Sequence, residues 1–187
     1  MRIISGKFRG KKILEPKDIK TRPLKDLTKE SIFNIINHSK KFNVEIKEAN
    51  ILDLFSGVGS FGLECLSRGS NYVFFVENYK SALSILKKNL SNLNLFKKHE
   101  ILEADILNGT YLKNINIKFD IIFLDPPYKF KELEEILIYI TDKKILNKNG
   151  IVIIHRHKKE KDNFPKNFKI LEEKKYGISK IIFGNLS

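Results

Sequence analysis

Residues 51–64 read Ile51-Leu52-Asp53-Leu54-Phe55-Ser56-Gly57-Val58-Gly59-Ser60-Phe61-Gly62-Leu63-Glu64. An apolar, strand-like run turns at glycines and continues into a second apolar segment. Gly57, Gly59 and Gly62 spell G-x-G-x-x-G, the pattern with which a strand–turn–helix unit cradles a dinucleotide pyrophosphate at a helix N-terminus. Asp53 disturbs that reading. A carboxylate just ahead of the cradle repels phosphate, so the turn suits a ligand with cationic groups better than a dinucleotide.

Outward from this turn the chain alternates between strand and helix patterns. Strands are predicted over 49–55, 71–77, 99–105, 119–125 and 150–156. Helices are predicted from the glycine turn to about 68, over about 79–93 with Leu83, Leu86 and Leu90 at helical spacing, near 106–113, and over about 131–140. An earlier helix over about 26–38 carries Ile32, Phe33, Ile35 and Ile36 on one face, with Asp26 or Thr28 as the expected cap. The tail 168–184 reads as two short strands about a turn at Tyr176-Gly177, which must pair antiparallel. Near-continuous apolar strands alternating with helices imply a mostly parallel sheet covered on both faces. The expected fold class is therefore α/β and Rossmann-like. It has seven strands, an antiparallel C-terminal hairpin, and a small basic β-hairpin in residues 1–14 that turns at Gly6 and Gly10.

In such a sheet ligands bind beyond the C-terminal strand ends. Four predicted strands close on or next to an acid: Asp53, Glu77, Asp105 and Asp125. One such acid means little; four in succession read as a single polar rim. S-adenosylmethionine (SAM) has no phosphate and carries an α-amino group and a sulfonium, so it fits this rim. Glu77, at the second strand end, suits a ribose diol, and Asp105 the adenine amine. The glycines let the backbone approach the methionine part closely, and the third eases helix packing.

Phe123-Leu124-Asp125-Pro126-Pro127-Tyr128 points to the second substrate. Two prolines fix an extended backbone and remove two N–H donors, leaving carbonyls to face outward at the sheet edge. A carboxylate and such a carbonyl can together accept both hydrogens of an exocyclic amine. Tyr128 offers a flat face for a base. Asp125 is expected at an exposed strand end.

The charge points to the partner. The chain of 187 residues carries a net +13, and its first 25 residues hold nine basic and two acidic side chains, a net +7. A basic cluster of this kind usually meets a polyanion. Arg2, Lys7, Arg9, Lys11, Lys12 and Arg22 are the candidate phosphate contacts. Cys65 is the only cysteine and reads as core. The four histidines form no metal-ligand spacing, and His155-Arg156-His157 is a poor place for a cation. The N-terminus lacks a signal-peptide pattern, and no apolar run nears the ~20 residues of a membrane helix, so a cytoplasmic protein is expected.

DPPY at 125–128 resembles motif IV of amino-methyltransferases, which methylate exocyclic nitrogens of bases. Together with RIISGKFRGKKI at the start, TRPLKDLTKESIFNII at 21–36, LDLFSGVGSFGLECLSRGS at 52–70 and KKYG at 174–177, it resembles the bacterial 16S ribosomal RNA guanine-N2 methyltransferases, the small-subunit type D family. The resemblance spans nearly the whole chain in order. It implies a SAM-dependent methyltransferase fold, with SAM contacts from Asp53, Phe55, Gly57, Gly59, Glu77 and Asp105. Target-base handling falls to Asp125, Pro126 and Tyr128. Residues 1–25 become an RNA-contacting arm and 26–187 the methyltransferase domain, with 16S rRNA or the assembling small subunit as partner and a monomeric enzyme. Leu24, Lys29, Val58 and His155 depart from the family pattern; His155 stands where an acid is common. Two other readings of the residues remain: an adenine-N6 or other exocyclic-amine methyltransferase, since DPPY does not distinguish amines, and, more remotely, an NAD(P) oxidoreductase built on the glycine fingerprint.

Overall fold

The computed structural model describes residues 1–16, 24–95, 97–108 and 115–186. Its elements run α1 (Asp26–His38), β1 (Asn50–Leu54), α2 (Ser60–Ser67), β2 (Tyr72–Glu77), α3 (Lys80–Asn92), β3 (His99–Glu103), a 3₁₀ turn (Ile106–Asn108), β4 (Phe119–Leu124), α4 (Leu133–Asp142), β5 (Leu146–His157), β6 (Phe168–Tyr176) and β7 (Ser179–Leu186). The seven strands form one sheet in the order β3-β2-β1-β4-β5-β7-β6. The first five pair parallel, and β7 pairs antiparallel with both β5 and β6. The expected Rossmann-like sheet with an antiparallel C-terminal hairpin is present, with β7 inserted between β5 and β6.

Alternate residues of each central strand enter opposite cores. Ile121 and Phe123 of β4 join Ile32, Phe33, Phe61, Leu86 and Leu90 on the face covered by α1, α2 and α3. Ile122 and Leu124 join Leu133, Ile136, Leu137 and Ile140 of α4 on the other. Burial on both faces is why these strands read as unbroken apolar runs. Cys65 is fully buried in the first core.

Several local expectations are corrected. Neither Asp26 nor Thr28 caps α1: Lys25 holds the N-cap position without a side-chain cap bond, and Asp26 lies in the first helical turn. Strand β5 starts at Leu146, ahead of the predicted 150, because Leu146 pairs with Phe119 across a register shift in the β4–β5 ladder. The polar residues 147–149 hid this extension. The segment 106–113 begins as the 3₁₀ turn, and its residues 109–114 lie outside the described residues.

The N-terminal hairpin reduces to a single antiparallel bridge between Arg2 and Lys12, flanked by Ile3 N–H to Lys11 O at 2.9 Å and Ile13 N–H to Met1 O at 3.0 Å. Ile3 and Ile13 are buried in the first core. The Ile4 and Ser5 amides donate to Glu64 of α2 at 2.7 and 2.9 Å.

Strand order positions the site. The chain moves outward through β1, β2 and β3, then returns to place β4 on the other side of β1, so connections diverge between β1 and β4. A crevice opens at such a switch point. Register aligns Leu54 with both Val76 and Leu124. The next residues, Phe55, Glu77 and Asp125, therefore leave the three strands side by side.

Candidate functional site

The glycine turn after β1 is held from below. Ser56 N–H donates to Val76 O at 3.1 Å, and Gly59 N–H closes the turn on Ser56 O at 2.8 Å. Gly59 has φ +86°, a left-handed conformation that a side chain disfavours. At Gly62 the constraint is contact: a Cβ there would lie 2.3 Å from the Phe75 ring of β2. The third glycine thus lets α2 lie against the sheet, as expected from the sequence.

Asp53 sits beneath this turn, 1% exposed, and its carboxylate accepts the Gly62 amide at 3.0 Å. Burial pushes its carboxyl well above the usual range. The Gly62 amide opposes the shift, and the charges of Asp125 and Glu77 add to it. The buried site thus favours the protonated carboxyl, and a cation arriving beside it would favour the ionised form.

Glu77 is fixed by backbone donors. One oxygen accepts Gly57 N–H at 2.7 Å, and the other accepts the amides of Asn78 at 2.9 Å and Tyr79 at 2.8 Å. This single side chain ties the glycine turn to the start of α3. Asp105 accepts the Leu107 amide at 3.0 Å and so begins the 3₁₀ turn. Phe55 has φ +59°, and its ring meets Phe130 edge-on at 5.0 Å.

Across the crevice, the residues after β4 are held by side chains from β5 and beyond. Asp125 Oδ1 lies 2.8 Å from His155 Nδ1, and the Asp125 side chain is only 13% exposed. The expectation of an exposed strand end is corrected: β5 walls the carboxylate in. Arg156, 1% exposed, donates to Pro127 O at 3.1 Å and Phe130 O at 2.8 Å. Its Nε donates to Asp162 at 2.8 Å. The Pro127 carbonyl, which also accepts Phe130 N–H, is therefore engaged by the protein. The Tyr128 ring packs edge-on against His157 at 4.9 Å.

Asp53, Phe55, Gly57, Glu77, Asp105, Asp125, Pro126 and Tyr128 all line one cavity of about 600 Å³, a size that accommodates a small-molecule cofactor. Gly59 stands behind it. Among the described residues the lining carries four acidic and no basic side chains. That chemistry fits a cationic, phosphate-free ligand and opposes a dinucleotide.

Arg2, Lys7, Arg9, Lys11 and Lys12 are all exposed, on a hairpin whose Ile3 and Ile13 face inward. Arg22 lies outside the described residues. The arm contacts the cavity region: Met1 and Pro16 line it, and Asn89 of α3 bonds both Leu14 and the turn residue Val58. Lys29 is fully buried, with Nζ donating to Arg2 O at 2.7 Å and to Ser60 Oγ at 3.3 Å. Burial lowers its ammonium pKa, against the pull of Glu64 and Asp26.

The sequence alone assigns no role to His155 or Arg156. The available signal was the polar end of an otherwise apolar strand, GIVIIHRH, entering the crevice beside DPPY.

The family described as Conserved hypothetical protein 95 matches residues 1–185. A Haemophilus influenzae protein named Ribosomal RNA small subunit methyltransferase D is 32% identical over 183 residues, covering 95% of this chain and 90% of that one. A protein of the same name from Buchnera aphidicola is 32% identical over 172 residues, covering 92% and 86%. A solved structure from Escherichia coli, described as a candidate methyltransferase, superposes with a TM-score of 0.83 at 26% identity, covering 100% of this chain and 97% of the other.

Proposed function

The chain belongs to the family of the ribosomal RNA small subunit methyltransferase D proteins, and from that premise we propose that it transfers a methyl group from SAM to the exocyclic N2 amine of a guanine in 16S rRNA. The observation that carries this reading is the convergence of four strand-end acids and DPPY on one cavity whose described lining holds no basic side chain.

SAM supplies an electrophilic methyl group on a sulfonium. Asp53 would face its cationic end from beneath the turn and Gly57 would bring backbone close to its methionine part, while Gly59, which does not line the cavity, shapes the turn from behind. Glu77 accepts from the ribose with lone pairs not taken by its three backbone donors, and Asp105 accepts from the adenine amine. Phe55 walls the pocket.

The guanine N2 lone pair is delocalised into the ring, so the amine is a weak nucleophile. Asp125 and the Pro126 carbonyl accept its two hydrogens, localise the lone pair and aim it. Transfer is direct and in line. As the amine bonded the methyl carbon, the carbon–sulfur bond of SAM would break and leave the neutral thioether S-adenosylhomocysteine, and Asp125 would stabilise the positive charge on nitrogen until a proton passed to solvent. Tyr128 stacks on a base that must be splayed from its neighbours, which costs least in an RNA loop. The arm, residues 1–25, grips phosphates, while residues 26–187 form the catalytic domain.

The test is methyl transfer from labelled SAM to small ribosomal subunits, free 16S rRNA and duplex DNA, followed by nucleoside analysis. N2-methylguanosine in the RNA is the expected product. N6-methyladenosine, or transfer to DNA alone, would replace the guanine reading with another amine.

A further inference from the structure

A buried relay stands behind Asp125. His155 Nδ1 lies 2.8 Å from Asp125 Oδ1, and His155 Nε2 lies 2.9 Å from Ser179 Oγ. The imidazole is 2% exposed and Ser179 5%. Both ring nitrogens are thus engaged away from bulk water. The turn at Tyr176-Gly177, with Gly177 at φ +56°, reverses β6 into β7 and sets Ser179 opposite His157 of β5. The KKYG stretch therefore has a structural consequence: it delivers a hydroxyl to the far side of the His155 ring.

We infer that His155, locked by Ser179, is the positioning residue that fixes the Asp125 carboxylate in the orientation needed to receive the target amine. An ionised carboxylate only accepts hydrogen bonds, so Nδ1 carries the ring proton. The Ser179 hydroxyl donates to Nε2 and holds that tautomer. Oδ1 is thereby held against the ring, and the carboxylate keeps its place on the wall of the cavity that Asp125 lines. Without the ring the carboxylate swings between rotamers, and the amine loses its aim. The inference rests on the proposed role of Asp125 as the acceptor of that amine.

Two substitutions separate the contacts. Asparagine carries its amide nitrogen two bonds beyond Cβ, as His155 does Nδ1; glutamine carries its own one bond further, as His155 does Nε2. H155Q keeps a partner for Ser179 and loses the donor to Asp125. H155N keeps the donor to Asp125. At saturating SAM and RNA, H155Q is expected to slow single-turnover methyl transfer by about tenfold or more, toward the hundredfold loss that follows misplacement of a reacting group. Its SAM affinity should be unchanged, and H155N should recover to within about fivefold of the parent. Ser179→Ala adds no volume and covers the case in which H155Q does not fold; it is expected to slow transfer by about threefold or more, since the ring loses its lock.

A folded H155Q enzyme within twofold of the parent would overturn the inference, as would H155N as slow as H155Q. Nitrogen NMR of the His155 ring at neutral pH gives a readout independent of activity. A proton on Nδ1 is expected, and a ring protonated on Nε2 alone would overturn the arrangement. A parent protein that methylates no RNA would count against the proposed function, while the tautomer would still decide the relay.

Discussion

The two sides of the crevice hold their carboxylates by different means. On the β1–β2 side, Asp53 and Glu77 are fixed by main-chain amides: Gly62 for the first, Gly57, Asn78 and Tyr79 for the second. All of these donors lie within one strand–turn–helix unit of their acceptor or in the adjacent turn. On the β4–β5 side, Asp125 and the DPPY backbone are fixed by His155 and Arg156, themselves bonded to Ser179 and Asp162. Backbone donors make a rigid socket that many side-chain identities can build. Side-chain donors make an adjustable one that depends on particular residues far along the chain. In the proposed enzyme the rigid side receives the invariant cofactor and the adjustable side receives the base.

If this division is right, damage on each side should appear in a different measurement. The largest expected effect is on the target side. Asp125→Ala removes a group whose partner gains charge only in the transition state, so it should slow methyl transfer by at least about 10²-fold with SAM affinity near that of the parent. Single-turnover kinetics check this. The His155 contact also means that Asp125→Ala leaves a buried ring donor without its carboxylate, so it should cost stability, of order 1–3 kcal/mol in a denaturant titration.

Glu77→Ala comes next. It should weaken SAM binding by ~1.5–3 kcal/mol, the range for hydrogen bonds to a charged group, measured by calorimetry. Its three backbone partners place it at the upper end of that range, because the glycine turn loses its anchor along with the ribose.

Asp53→Asn sharpens the comparison through the sign of its effects. Burial raises the folded Asp53 carboxyl above its ordinary 3.8, so the folded state binds this proton more tightly than the unfolded chain. The stability contribution of Asp53 therefore falls as pH rises from about that value through the folded one. Asp53→Asn should remove this slope and raise the melting temperature of the ligand-free protein at neutral pH. It should also weaken SAM binding, because the ligand's cationic groups lose their counter-charge. Thermal melts across pH, with and without SAM, read both effects; a variant less stable than the parent at neutral pH would contradict the assignment.

The smallest expected effect belongs to the arm. Arg9→Gln should weaken binding to all RNAs alike and reduce the salt slope by about one unit. Unchanged salt dependence would make Arg9 a solvated surface charge.

How much of this was legible in the sequence follows the same division. The glycine turn, the strand-end acids and DPPY were readable because each lies in a short segment whose neighbours in sequence are its neighbours in space. Helix α1 spans the residues, about 26–38, that its apolar face and polar start predict, but Lys25 and not Asp26 or Thr28 occupies the N-cap, because capping is settled by backbone geometry. The far wall of the target pocket was not readable. His155 meets Ser179 because β7 inserts beside β5, Arg156 is enclosed by Pro127, Phe130 and Asp162, and these partners are brought together by packing across distant parts of the chain. The same packing encloses Asp125, which the sequence alone placed in the open. Lys29 was likewise opaque: its helix face showed in the pattern, but its seat between the hairpin and α2 depends on Arg2 O and Ser60 Oγ.

The division between the two sides is tested most directly by single-turnover methyl transfer as a function of SAM concentration, run on Glu77→Ala and Asp125→Ala beside the parent with RNA saturating. Glu77→Ala is predicted to climb back to within a few-fold of the parent rate once enough SAM is present, and Asp125→Ala is predicted to remain at least about a hundredfold slower at every SAM concentration. An Asp125→Ala enzyme rescued by excess SAM, or a Glu77→Ala enzyme that stays slow at saturation, would contradict the assignment of cofactor and target to opposite sides of the crevice.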